Sequence, residues 1–174
     1  MASDTIADGL LETRDDGTAV IRFERHLAHP IDRVWAALTD PREMIKWWGR
    51  GDVELVEGGR FTVEWQNTDD DGNHATMKAT ITRLDPPRLL ETSGGEHGEL
   101  RWELRPEGDR TVVSLTSTLE LPEQFRTLHP AGWHWHLDAL ATILDGGEVD
   151  PVNVTGWEQI HERYVERYGG TASA

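Results

Sequence analysis

The chain has 174 residues, with 17 Lys and Arg against 32 Asp and Glu, a formal net charge of −15, and no cysteine. That length suits a single domain, and the negative field opposes phosphate backbones and anionic lipid surfaces, so neither nucleic acid nor membrane is an expected partner. The lack of cysteine excludes disulfides, thiolate catalysis and Cys-ligated metal centres; with no leader pattern and no apolar run near the roughly 20 residues of a membrane span, a cytoplasmic protein is expected.

Residues 1–8 are small, polar or acidic and have no period, so a frayed tail is expected there and another at 171–174, around one domain over 9–170. The stretches 10–13 and 19–26 flank Asp15-Asp16-Gly17, a hairpin turn signal, and Ala19, Ile21 and Phe23 alternate with Val20, Arg22 and Glu24 at strand period. After Pro30, Ile31, Val34, Trp35 and Leu38 recur at helical spacing. Asp40-Pro41 caps a second helix over 41–48, stopped by Gly49. From Asp52 to Leu121 the spacing predicts strands over 53–56, 60–65, 76–84, 88–92, 99–105 and 111–119, joined by turns such as Glu57-Gly58-Gly59 and Asp69-Asp70-Asp71-Gly72-Asn73. Such sequential strands imply an antiparallel meander. Beyond Pro122, Trp133, His136, Leu137, Leu140, Ile143 and Leu144 form a helical stripe that ends at Asp145-Gly146-Gly147. Thr155-Gly156-Trp157-Glu158 has capping-box spacing before a short amphipathic helix carrying Trp157, Ile160, Tyr164 and Tyr168. The sequon Asn153-Val154-Thr155 matters only in a secreted chain.

Phe61, Val63, Trp65, Met77, Ile81, Trp102 and Leu104 share the inward face of the meander, opposite Trp133, His136, Leu137 and Leu140 of the long helix, with Trp35 and Trp48 from the two short helices. Either these residues wall a cavity for an apolar or aromatic small molecule or they fill the core. His136 lies on the stripe facing the sheet, where a neutral imidazole orients a ligand or sits as a satisfied core histidine. His134 and Asp138 lie four apart on a flanking face; even with His129 they make no closed metal site, so no metal or cofactor is assigned. Glu64, Glu99 and Glu103 point away from the apolar face, and no nucleophile elbow or phosphate loop is present, so no catalytic residue is assigned. Of the adjacent Trp47 and Trp48, one is expected in the core and the other at a pocket mouth or partner surface.

The run Pro30-Ile31-Asp32-Arg33-Val34-Trp35-Ala36-Ala37-Leu38-Thr39-Asp40-Pro41, followed by Trp47-Trp48-Gly49, resembles a signature of START-like (SRPBCC) proteins, within them the activator of heat-shock protein 90 ATPase homologue family. Gly58-Gly59-Arg60-Phe61, Leu84-Asp85-Pro86-Pro87, Trp102-Glu103-Leu104 and Gly132-Trp133-His134 are similar to later blocks of that family. The resemblance implies an α+β helix-grip fold: an antiparallel sheet of six or seven strands wrapped around a long C-terminal helix, with two short helices after the first main strand. It implies a cup for an apolar or aromatic ligand, with a co-chaperone-like protein-binding domain as the alternative and an enzyme acting inside the cup as the third reading.

Overall fold

The computed structural model describes residues 8–150, 152 and 155–170. The expected tails, apart from Asp8, and Asn153 and Val154 of the sequon lie outside the described residues. The chain opens with β1 (Leu10–Thr13) and β2 (Thr18–Leu27), then α1 (Ile31–Thr39) and α2 (Pro41–Met44). Six strands follow: β3 (Arg50–Val53), β4 (Arg60–Thr68), β5 (His74–Asp85), β6 (Leu89–Ser93), β7 (Glu99–Glu107) and β8 (Arg110–Glu120). A 3-10 turn at Gly95–His97 joins β6 to β7, and a second at Glu123–Phe125 leads into α3 (Leu128–Leu144), with α4 (Trp157–Tyr168) last.

All eight strands form one antiparallel sheet in the order β1-β2-β8-β7-β6-β5-β4-β3. From β3 to β8 each strand pairs with the next in sequence, so the meander follows from short turns alone. The exception is β2, which pairs with β8 while its successor β3 lies at the far edge. The connection α1–α2 carries the chain over the sheet between them, and α1 packs against β7, β8 and α3. With α3 on the same apolar face, the helix-grip architecture is complete, and β1 brings the strand count above the expected six or seven.

Four local expectations need correction. The third strand lies at 50–53 and not 53–56, because the turn starts earlier: Val56 N–H donates to the Glu54 carbonyl and Gly59 N–H to that of Val56. The second helix ends at Met44, and the amides of Trp48 and Gly49 both converge on the Met44 carbonyl, closing the helix in a tight turn. Trp47 and Trp48, with rings 5.2 Å apart, are both buried and neither reaches the surface, against the expectation that one would rim a pocket mouth or partner surface. The flank of α3 that carries His134 is buried as well, because α4 covers what the sheet leaves open; His134 is 1% exposed. Last, α4 starts at Gly156 with φ 85° and no side-chain cap, so the capping box does not form.

The centre of the core is a group of rings. Trp48 lies 5.5 Å from Trp133 and 5.8 Å from both Trp102 and Phe61, while Trp47 meets Trp102 edge-on at 6.3 Å. Edge-to-face pairs of this kind add about 0.5–1.5 kcal/mol beyond area burial. Trp47 donates its indole N–H to the Ala37 carbonyl, which fixes α1 against the turn after α2. Gly49 lets that turn press onto β4, since a Cβ there would lie 2.5 Å from the Glu64 carbonyl oxygen.

Candidate functional site

At the N-terminal end of α3 the sheet and helix part around a cavity of about 360 Å³. Its walls are Trp65 from β4, His97 from the 3-10 turn after β6, Phe125 from the turn before α3, and Leu128, His129, Gly132, Trp133 and His136 from α3 itself. A larger cleft of about 810 Å³ adjoins it across the ends of β6, β7 and β8, sharing His97, Phe125 and His129 and carrying Glu96, Glu99 and Glu120. No lysine, arginine, aspartate or glutamate lines the inner cavity. Its polarity comes from imidazole and indole nitrogens alone.

Local sequence explains each wall. The pairing of β4 with β5 shifts register between Glu64 and Thr68, and such bulges re-aim the side chains they contain; Trp65 sits in this one. His97 stacks on Trp65 with centroids 5.5 Å apart and planes at 27°. It is carried by a turn whose Gly95 and Gly98 both have positive φ, and a Cβ on Gly98 would strike the Thr118 carbonyl, so only glycine lets the turn lie this close to β8. Gly132 leaves the cavity open from the helix side: a Cβ there would meet nothing within 4 Å.

His136 has no nitrogen left for a ligand. Its Nε2 accepts the Trp65 indole N–H at 2.9 Å, and its Nδ1 faces the Trp47 carbonyl at 3.2 Å. A carbonyl can only accept, so Nδ1 carries the proton and the ring is neutral, bridging the Trp47 turn to the cavity wall. Burial pushes its pKa down to about 4, against a weaker upward pull from the Trp47 hydrogen bond. His129 is also held at about 4, by burial first and by the nearby His97 second. His97 itself is lowered by burial, with Glu96 opposing. All three imidazoles are therefore neutral near pH 7.

Of the side chains expected at a ligand site, the structure brings Trp65, Trp133 and His136 to the cavity. Trp35, Trp48, Phe61, Val63, Met77 and Ile81 are packed into the core and do not line it, and the same holds for Trp102, Leu104, Leu137 and Leu140. The reason is volume: four indoles and Phe61 fill the middle of the grip, leaving space only where α3 begins. Sequence reasoning missed His97, Phe125, Leu128 and Gly132 as walls, and weighed His129 only for metal. The one signal for them was the glycine spacing of Gly94, Gly95 and Gly98 around His97. His134 and Asp138 do meet, at 3.3 Å, but within a network with Tyr164 and Arg25. Among the described residues no group of three or more such ligands could hold a metal ion.

The sequence model of a family described as activator of Hsp90 ATPase homolog 1-like protein matches residues 28–145. No curated protein matches the chain. Similar solved structures include the protein encoded by BPP1335 of Bordetella parapertussis, 31% identical, with a TM-score of 0.68 and coverage of 96% of this chain and 95% of that one. CalU16 from Micromonospora echinospora is 26% identical, with a TM-score of 0.70 over 94% and 96% of the two chains. EF2215 from Enterococcus faecalis, a protein of unknown function, has a TM-score of 0.75 at 18% identity over 92% and 90%, a likeness of fold alone.

Proposed function

This chain belongs to the activator of Hsp90 ATPase homolog 1-like family, and from that premise we propose that it is a binding module for an apolar, ring-containing small molecule, held without chemistry at the N-terminal end of α3. The observation that carries this reading is the cavity of about 360 Å³ walled by Trp65, His97, Phe125, Leu128 and Trp133. Its size and mostly apolar walls with a few polar nitrogens are those of small-molecule sites in general. Reversible binding is favoured over an enzyme because the cavity lining holds no carboxylate, hydroxyl, thiol or amine to act as nucleophile or general acid. The co-chaperone-like alternative loses the surface foreseen for it, since Trp47 and Trp48 are both buried. Among the described residues no helix is long and apolar enough to cross a membrane.

The test uses Gly132. Leucine at this position projects into the cavity, and because glycine is a poor helix former the change stabilises α3 by up to about 1 kcal/mol. Titration of the wild-type protein with 2-methylnaphthalene and 2-naphthol should perturb tryptophan fluorescence, through Trp65 and Trp133, and Gly132→Leu should abolish the response while keeping or raising the melting temperature. If neither compound perturbs the wild-type signal, or Gly132→Leu leaves the response intact, the reading is wrong.

A further inference from the structure

We propose that His129 is the polar anchor of the cavity and that the ligand it selects is an uncharged aromatic ring bearing a hydroxyl group. The proposal rests on the binding reading above and narrows it to a ligand class and a specificity-determining residue.

The polar groups of the cavity are few, and most are already engaged. His136 uses both nitrogens on Trp47 and Trp65, and that bond occupies the Trp65 N–H as well. His129 differs: its Nε2 is shielded from solvent and, among the described residues, has no hydrogen-bond partner. A buried nitrogen without a partner is rare in folded proteins and calls for an explanation, and here the ring forms part of the wall shared by the inner cavity and the outer cleft. Beside it on that wall is His97, whose centroid lies 6.5 Å away at 34° and which itself stacks on Trp65; Phe125 lines the same wall. Trp65, His97 and His129 thus form a row of rings, each inclined by about 30° to the next, that offers aromatic faces and edges to a ring-containing ligand. A ligand reaches the shielded Nε2 by displacing a neighbouring side chain, and His97, beside it on a glycine-flanked turn, is the wall residue that the proposal assigns to that movement.

The chemistry of the missing partner follows from what surrounds it. A neutral imidazole has one donor and one acceptor, and a hydroxyl can give or take a hydrogen bond, so it satisfies Nε2 in either tautomer. A methyl group leaves the nitrogen unpaired. A carboxylate would enter a cavity without a lysine or arginine, beside Glu96, Glu99 and Glu120 of the adjoining cleft, on a chain of net charge −15; an ammonium finds no carboxylate in the cavity itself and, being a donor only, satisfies Nε2 in one tautomer alone. The neutral hydroxylated ring is the class that remains.

The experiment compares 2-naphthol with 2-methylnaphthalene, which differ by hydroxyl against methyl at nearly constant shape, and includes 2-naphthoate as the anion. Calorimetry or fluorescence on the wild-type protein should give an affinity order with naphthol first and naphthoate undetectable. His129→Leu should lower the naphthol-to-methylnaphthalene affinity ratio by about tenfold, the worth of one buried hydrogen bond. A second readout needs no variant: the His129 side-chain nitrogen resonance of 15N-histidine-labelled protein should shift on addition of naphthol and not of methylnaphthalene. Binding of both rings with an unchanged ratio in His129→Leu, or with no His129 shift, overturns the anchor and leaves the binding reading standing. Absence of binding by all three compounds overturns both.

Discussion

His136 and His129 sit on the same helix and titrate alike, yet they have opposite relations to the protein. One bridges two indole-bearing segments through both nitrogens, and the other has a nitrogen with no partner among the described residues. Both are held at about 4 by burial, against 6.5 for an unperturbed imidazole. Between those values the unfolded chain binds more protons than the folded one, so stability rises with pH: it is fully present above about 6.5, declines as pH falls towards 4, and levels off below. Denaturant titrations at pH 7, 5.5 and 4.5 should show that decline, and His129→Leu should make it shallower. An identical slope in wild type and variant would mean that His129 is not buried as a neutral ring.

Helix α4 acts at the element scale as a clasp between α3 and the edge strand β1. The buried Tyr164 hydroxyl accepts the Gly9 amide at 2.7 Å and lies 2.9 Å from His134 Nδ1, while the Tyr168 hydroxyl accepts the Leu11 amide at 3.1 Å. An edge strand of four residues has little else to hold it, and these side chains substitute for a neighbouring strand. Burial pushes the Tyr164 phenol up to about 12, so it stays protonated and keeps its donor through the neutral range. Tyr164→Phe should cost about 1–3 kcal/mol, because it strands a buried amide and an imidazole nitrogen at once. Hydrogen exchange should show faster exchange at Gly9 and Leu11 and unchanged protection in β7 and β8; uniform loss of protection would instead mean that α4 is part of the central core.

For the whole molecule, the ring cluster and the cavity meet at Trp133, yet filling one and emptying the other should separate in experiment. Trp102 is 1% exposed and touches Trp47, Trp48 and Trp133, so Trp102→Ala should cost about 3–5 kcal/mol through lost burial and a residual void. Gly132→Leu fills the cavity at no such cost. If urea midpoints of the two variants fell together, the division between a packed centre and an open end of α3 would be wrong.

Local pattern was enough to identify the meander, the two short helices and the long C-terminal helix, because alternation at period 2 and recurrence at 3.6 report which face of each element is apolar. The turns at Asp16-Gly17 and Asp71-Gly72 were legible for the same reason, since the positive φ of Gly17 and Gly72 is a property of the residue itself. Apolar character, however, does not distinguish a side chain that fills space from one that borders it. That depends on the summed volume arriving from strands and helices far apart in sequence. Thus Phe61, Trp102 and Leu140 carried the same signal as Trp65 and Trp133, and only the tertiary structure separated packed core from cavity wall. The long-range partners of His136 and the empty bond of His129 were beyond the sequence too, since each depends on chain segments that the fold, and not the local pattern, brings together or keeps apart.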